Sequence, residues 1–261
     1  MSKYARLNAL LELLAERGGL DVENAAAELK VSPATIRRDL DTLAEQQLLT
    51  RTHGGAVPNS TAYDLPLRYK TAKHAQEKQR IGAAAAALVI PGSIVGANGG
   101  TTTTEVVRAM AARADLHAEG SAPRTTLVTN ALNIANELTV RPNLKIVVTG
   151  GVARQQSYEL IGPLARGILE QLSLDLVFLG VDAIDVALGA CAHHEGEASI
   201  NKLMVSRARQ VVVVADSSKL ERHAFARICP IEDVDILVTD SGAPKTVTDR
   251  FTQAGVRVIR A

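Results

Sequence analysis

The sequence predicts an α/β protein: an N-terminal winged helix-turn-helix followed by an α/β domain on a mostly parallel sheet. Two observations carry this. A helix with strong start signals opens at "VSPATIRRDLDTL" (Val31 to Leu43), and an alternating, glycine-ended segment, "LLTRTHGGAV", follows it. Apolar, β-branched runs then recur along the chain: "SIVGAN", "TTLVTN", "LKIVVTG", "LDLVFLG", "QVVVVAD", "VDILVTD" and "VRVIR". Between most of them lie Ala- and Leu-rich stretches long enough for crossover helices, the pattern of a parallel sheet with helices packed on it.

Each element has its local reasons. Leu7, Leu10, Leu11 and Leu14 recur at helical spacing and form one apolar face, which Arg17 to Gly19 terminate with glycines suited to a C-terminal cap. Asp21 can cap a short helix, "VENAAAELK", that buries Ala25, Ala26 and Leu29. Ser32 is a good N-cap for the third helix and Pro33 fits its first position. Val31 and Ile36 occupy the two places of a hydrophobic staple. From Ala56 to His74 the pattern is lost, with Pro58 and Pro66 among polar residues. The expected organisation is therefore a winged helix over 1–57, a linker over 58–74 and an effector domain over 75–261.

Composition narrows the function. The chain has 261 residues, 46% apolar and only 3% aromatic, with a net charge of +1. No global field announces a nucleic-acid or membrane partner, so any such partner must meet a local patch. Cys191 and Cys229 have neither ligand-like nor redox-like spacing and read as reduced thiols. The first residues are charged throughout, unlike a signal peptide. No apolar run approaches the roughly 20 residues of a membrane span. A soluble, cytoplasmic protein is expected.

The local patch lies on the third helix. On a helical wheel Ile36, Leu40 and Leu43 fall together, Arg38 points almost opposite, and Thr35 and Arg37 flank the exposed face. Asp39 turns away, and Asp41, four residues after Arg37, is placed to pair with it. A helix-turn-helix presents the start of its second helix to the major groove. Arginine can pair bidentately with guanine, and threonine can meet a thymine methyl or a backbone oxygen. Ser32, Thr35, Arg37 and Arg38 are thus candidate contacts to double-stranded DNA. Arg51 and His53 would sit on a wing reaching the backbone or minor groove.

In the larger domain, "GANGGTTTTEVV" (Gly96 to Val107) follows a predicted strand and opens a helix. It is either a tight turn or an anion site, since small residues admit a ligand and helix-start amides attract negative charge. It has neither the dinucleotide-binding spacing nor a Walker lysine. Further polar or glycine-rich strand ends follow at Val128 to Asn130, Thr149 to Gly151 and Gly180 to Ile184. Ligands of open α/β sheets gather beyond such ends, and together they favour a phosphorylated small molecule. "AHHEGEA" (Ala192 to Ala198) reads as a polar lid on an extended loop rather than a metal site, because adjacent histidines there lack ligand spacing. "ADSSK" (Ala215 to Lys219) is an anion contact or a surface ion pair.

These segments, with "EKQRIGAAAAALVIPGSIVGANGGTTT", "LVTNALNIANEL", "VVTGG" and "FLGVDAI", resemble the DeoR family of bacterial transcriptional regulators over essentially the whole chain. The resemblance implies a sheet related to sugar-phosphate isomerases but used for sensing, without catalysis, cofactor or metal. It implies a homodimer or homotetramer that represses sugar-catabolism genes and leaves its operator on binding a phosphorylated sugar. Carried over residue by residue, Asn98, Gly99, Gly100, Thr101, Thr102 and Thr103 would hold the phosphate. Asn130, Gly150, Gly151, Asp182, Glu197 and Lys219 would line the remainder. Ala183 and "GACAHH" (Gly189 to His194) depart from the family's usual Gly and Gly-Leu-Thr pattern. The alternative is an isomerase-like enzyme with an appended DNA module, using Asp182, Glu197 and Lys219 as acid and base. A capped recognition helix argues against it.

Overall fold

The computed structural model describes residues 1–46, 48–58, 67, 73–116, 124–142 and 144–261. The chain divides into two compact units, residues 1–73 and 74–261.

The first unit runs α1 (Lys3–Arg17), β1 (Leu20–Asp21), α2 (Val22–Leu29), α3 (Pro33–Glu45), β2 (Leu49–Thr52) and β3 (Gly55–Pro58). Its start signals act as expected. The side chains of Asp21 and Ser32 accept from the Asn24 and Thr35 amides at the starts of α2 and α3, and Gly18 closes α1 in the left-handed region. Leu10, Leu11 and Leu14 of α1 pack with Ile36, Leu40 and Leu43 of α3 in one buried cluster. A buried charge joins the same two helices: Asp39 takes the guanidinium of Arg6. The strands form an antiparallel sheet in the order β1-β3-β2. The alternation therefore continues to Pro58 instead of ending at Ala56, because the ladder with β2 runs to Leu49↔Pro58. Of the expected linker, 59–66 and 68–72 lie outside the described residues.

The second unit opens with α4 (Ala75–Ala86), β4 (Ile94–Ala97), α5 (Thr101–Ala112), β5 (Thr125–Thr129), α6 (Leu132–Leu138) and β6 (Leu144–Val148). A hairpin, β7 (Val152–Ala153) and β8 (Leu160–Ile161), leads to α7 (Pro163–Leu169) and β9 (Leu176–Gly180). Then come β10 (Ala183–Asp185), β11 (Gly189–Ala192), α8 (Glu195–Ser206), β12 (Val211–Val214), β13 (Ala226–Cys229), β14 (Ile236–Thr239), α9 (Lys245–Gln253) and β15 (Arg257–Arg260).

Every apolar run singled out in the sequence becomes a strand of one parallel, 7-stranded sheet, ordered β15-β14-β12-β9-β4-β5-β6. Alternate residues feed opposite cores: Val211 and Val213 join Leu179, Met204 and Phe251, whereas Val212 and Val214 join Phe178, Leu127 and Met110. Burial on both faces explains why the inner strands read as continuous apolar runs, whereas the edge strands β6 and β15 keep exposed positions. From β4 the chain steps outward through β5 and β6, then returns to the other side of β4 at β9 and steps outward again. The direction reverses between β4 and β9, and the crevice beyond their carboxyl ends is where open α/β sheets take ligands. The antiparallel sheet β10-β11-β13 and the β7-β8 hairpin were not foreseen.

Gly55 shows how closely the first unit is packed. A Cβ there would fall 1.8 Å from the Leu20 carbonyl oxygen, whereas one on Gly54 would meet open space. Gly55→Ala must push β1 off β3 and is expected to cost well over the ~1 kcal/mol of an average substitution. Gly54→Ala, strained only by its positive φ, should cost about 1 kcal/mol. Urea unfolding of both variants checks this, and equal losses would contradict it.

Candidate nucleic-acid interface and effector site

The start of α3 is tied down before any partner arrives. Ser32 Oγ accepts from the Thr35 amide (3.2 Å) and shares a hydrogen bond with Thr35 Oγ1 (2.9 Å). Because Ile36, Leu40 and Leu43 turn inward, Arg37 and Arg38 stand exposed. Arg38 makes no side-chain hydrogen bond or ion pair among the described residues. The expected Arg37–Asp41 pair does not form. Arg37 reaches Glu23 on α2 (3.0 Å), and Asp41 instead receives Nε of Arg51 (2.8 Å). An i,i+4 pair contributes only about 0.2–0.5 kcal/mol, so contacts between elements readily replace it. Arg51 also donates to the Gly55 carbonyl, so one guanidinium ties both strands of the wing to α3. His53 is exposed at the wing's turn.

At the switch point of the large sheet, Asn98 is buried, and its amide bridges the two diverging strands. Nδ2 donates to the Gly180 carbonyl (2.9 Å), and the Gly180 amide donates to Oδ1 (2.7 Å). The chain then turns through Gly100, at φ 137, into α5, which has no side-chain N-cap. Thr103 and Thr104 turn their hydroxyls back to the Gly100 carbonyl (3.0 and 2.7 Å). The hydroxyls of Thr101 and Thr102 have no partner among the described residues. An uncapped helix start leaves its first amides without intrahelical acceptors, and here two uncommitted hydroxyls accompany them.

The β7-β8 hairpin folds over the neighbouring strand ends. The Leu160 amide donates to the Asn130 carbonyl (2.6 Å), and the Leu132 amide to the Tyr158 carbonyl (3.0 Å). Gly150 and Gly151, both at positive φ, make the exit from β6, and a Cβ on Gly151 would lie 2.9 Å from the Ile161 carbonyl oxygen. The hairpin brings in two charged residues that sequence reasoning missed. Arg154 donates to Glu197 (3.1 Å) at the start of α8. Glu159, 3% exposed, accepts from Asn130 Nδ2 (3.1 Å). Burial pushes the Glu159 carboxyl up to about 8, with Glu197 and Asp182 adding to the effect, while Asn130 and the Gly99 amide oppose it.

The first unit matches the DeoR-like helix-turn-helix domain over residues 6–62, and residues 73–241 match the DeoR C-terminal sensor domain. The chain belongs to the DeoR family. This DeoR-family protein is 33% identical over 257 residues to the putative aga operon transcriptional repressor of Escherichia coli O157:H7, covering 97% of this chain and 92% of the relative. It is 34% identical to the HTH-type transcriptional regulator GlpR of Haloferax volcanii, covering 97% and 96%. It is 31% identical to the glycerol-3-phosphate regulon repressor of Escherichia coli K12, covering 99% of each. The full-length sorbitol operon regulator SorC of Klebsiella pneumoniae matches at a TM-score of 0.44 and 15% identity, covering 96% of this chain and 99% of that one. The DeoR-family chain is a DNA-binding transcriptional regulator, not an enzyme.

The remaining expected residues of this regulator fall as follows. Asp182 accepts from the His193 amide (2.9 Å), and His194 Nδ1 accepts from the Gly196 amide (3.1 Å), capping α8. The stretch expected as an extended lid is therefore largely a helix start, because His194 Nδ1 takes up a free amide there and Glu195 and Glu197 suit the first turn. Lys219 ends a short 3-10 turn capped by Asp216. No cluster of three or more His, Cys, Asp or Glu among the described residues could hold a metal ion. No helix among them is long and apolar enough to cross a membrane. Cys191 and Cys229 are free and buried. Burial pushes both thiols up, Cys229 to about 12.

Glu159 yields a stability prediction. Its folded carboxyl titrates above its ordinary value of 4.5, so between that value and about 8 the folded state holds more protons than the unfolded one. Stability must then fall as pH rises through this window, by at most about 1.4 kcal/mol per pH unit. Glu159→Gln removes the fall, so its advantage over the parent should grow with pH and level off above about 8. Urea titrations across this range check it; a pH-independent difference would contradict it.

Proposed function

We propose that this DeoR-family regulator is a repressor of sugar-catabolism genes that leaves its operator when a phosphorylated sugar fills the loop at the start of α5. The observation that carries the reading is the uncapped N-terminus of α5 at the switch point of the sheet, with Thr101 and Thr102 uncommitted beside it. Helix starts of this kind attract phosphate. Asn98, with both ends of its amide committed to Gly180, and Thr103, with its hydroxyl on Gly100, would shape the loop rather than touch the anion by their side chains. Gly99, Gly100, Thr101 and Thr102 would meet the phosphate. Asn130, Gly150, Gly151, Asp182, Glu197 and Lys219 would line the sugar's side. The names of two relatives, repressors of the glycerol-3-phosphate regulon and the aga operon, fit this reading.

Reading of double-stranded DNA is assigned to residues 1–57, with Arg38 and Thr35 towards bases, Ser32 at the helix start, and Arg37, Arg51 and His53 towards the backbone. Residues 58–74 act as the connection and 75–261 as the sensor. The regulator works in the cytoplasm as a homodimer or homotetramer.

Two variants test the two halves. Arg38→Ala should cost roughly 1–3 kcal/mol of operator affinity if the side chain reads a base, with the melting curve unchanged because the residue is exposed. Unchanged affinity would remove α3 as the reader. Thr102→Val should shift operator release to higher concentrations of the sugar phosphate selected by a thermal-shift screen, with DNA binding intact. By linkage, a ligand that lowers DNA affinity binds the DNA-bound form less tightly by the same factor. Equal release midpoints for parent and variant would place the phosphate elsewhere. Gly100→Val is the weaker test, since φ 137 strains any side chain there.

A further inference from the structure

The loop read above as the phosphate site already has a titratable carboxyl of the chain's own beside it. Glu159 lies so close to Gly99 that a Cβ on that glycine would fall 2.5 Å from its Cγ and 2.7 Å from Oε1. The side chain is buried and held in place by Asn130. The charged groups around it are Glu197 on α8, Asp182 beyond β9, and Arg154 on the hairpin, whose guanidinium pairs with Glu197. A phosphate at Gly99 to Thr102 would add negative charge to a buried site already holding carboxylates, and like charges in such a site resist being ionised together.

We propose that Glu159 couples effector binding to a proton: the dianionic phosphate enters the α5 loop with the Glu159 carboxyl protonated. The inference rests on the α5 loop being the phosphate site. Burial and Glu197 already hold this carboxyl up at about 8, and a neighbouring dianion raises it further. Below that value Glu159 is already neutral, and binding needs no extra proton. Above it, each binding event draws a proton from solvent to Glu159, and affinity falls with rising pH, by up to about tenfold per pH unit. Glu159 is thus a residue that sets when the sensor responds, acting on the anion through charge rather than by holding it.

The probe is inorganic sulfate, a dianion whose charge is constant over the range, so that ligand titration does not intrude. Calorimetry of the full chain from about pH 6 to about pH 9.5, in two buffers of different ionisation enthalpy, reads both affinity and proton uptake. The parent should bind with level affinity up to about pH 8 and progressively more weakly above it, with uptake rising towards one proton. Glu159→Gln, which keeps the shape without the charge, should bind with level affinity throughout and without uptake. A parent that binds sulfate with no pH dependence and no uptake overturns the inference while leaving the loop reading in place. So does a variant that keeps the parent's fall, or a folded variant that no longer binds. If the variant does not fold, the parent's profile decides alone. Sulfate binding by neither protein at any pH removes the loop reading, and this inference with it.

Discussion

The amide of Asn98, clasped in both directions by Gly180, is the contact on which the sensor site depends. At a switch point two neighbouring parallel strands continue into segments that go opposite ways, so the backbone ladder between them has to stop. Here a side chain carries it one step further, donating to and accepting from the same peptide group. A buried amide satisfied at both ends holds its place firmly, because leaving either end unpaired would cost about 1–3 kcal/mol. That fixes the separation of the two loops that follow, one entering α5 and the other leading to Asp182. Gly180 lets them approach: a Cβ there would lie 3.2 Å from the Gly99 carbonyl oxygen. The open helix start, Glu159 and the hairpin are all arranged around this fixed gap.

Both units bury an ion pair, but only the second adds, at its strand ends, a buried carboxyl held by neutral amides beside other carboxylates: Glu159. In the first, Asp39 is buried against the guanidinium of Arg6, and the pair joins α1 to α3. Removing one partner of such a pair leaves an uncompensated charge, which is far costlier than the pair itself is favourable. In the second, Arg154 pairs with Glu197, and Glu159 faces carboxylates and a neutral amide. The first arrangement serves permanence; the second leaves a group whose ionisation answers to what arrives beside it.

The sequence made the large sheet legible because strands buried on both faces cannot hide: their apolar runs are continuous and their spacing leaves room only for crossovers. The start of α3 was legible for the same local reason, since Ser32, Pro33 and Ile36 state their roles within a few residues. What escaped was set by partners distant in the chain. Strand β11 finds β13 across more than one intervening element, and the strands are too short for alternation to show. Arg37 prefers Glu23 over the nearer Asp41 because α2 and α3 cross there. Among the candidate site residues, the strand-end glycines, Asn98 and Asn130 could be read from their places after apolar runs. Arg154 and Glu159 could not: a short hairpin, held by the Leu160–Asn130 backbone bond, swings them into the crevice.

The close approach of Leu20 to Gly55 has a mechanical consequence. Asp21 takes part in the ladder with β3 and also caps α2, and the Val22 amide binds the Gly54 carbonyl (2.9 Å) at the wing's turn. Through Glu23, α2 then holds Arg37, and Asp41 holds Arg51. The β2-β3 hairpin and α3 therefore share one chain of contacts. Each contact that is already made before docking lowers the conformational entropy that docking would otherwise cost. Where a duplex has to bend to fit such a preformed surface, the flexibility of base steps that the protein never touches enters the choice of sequence.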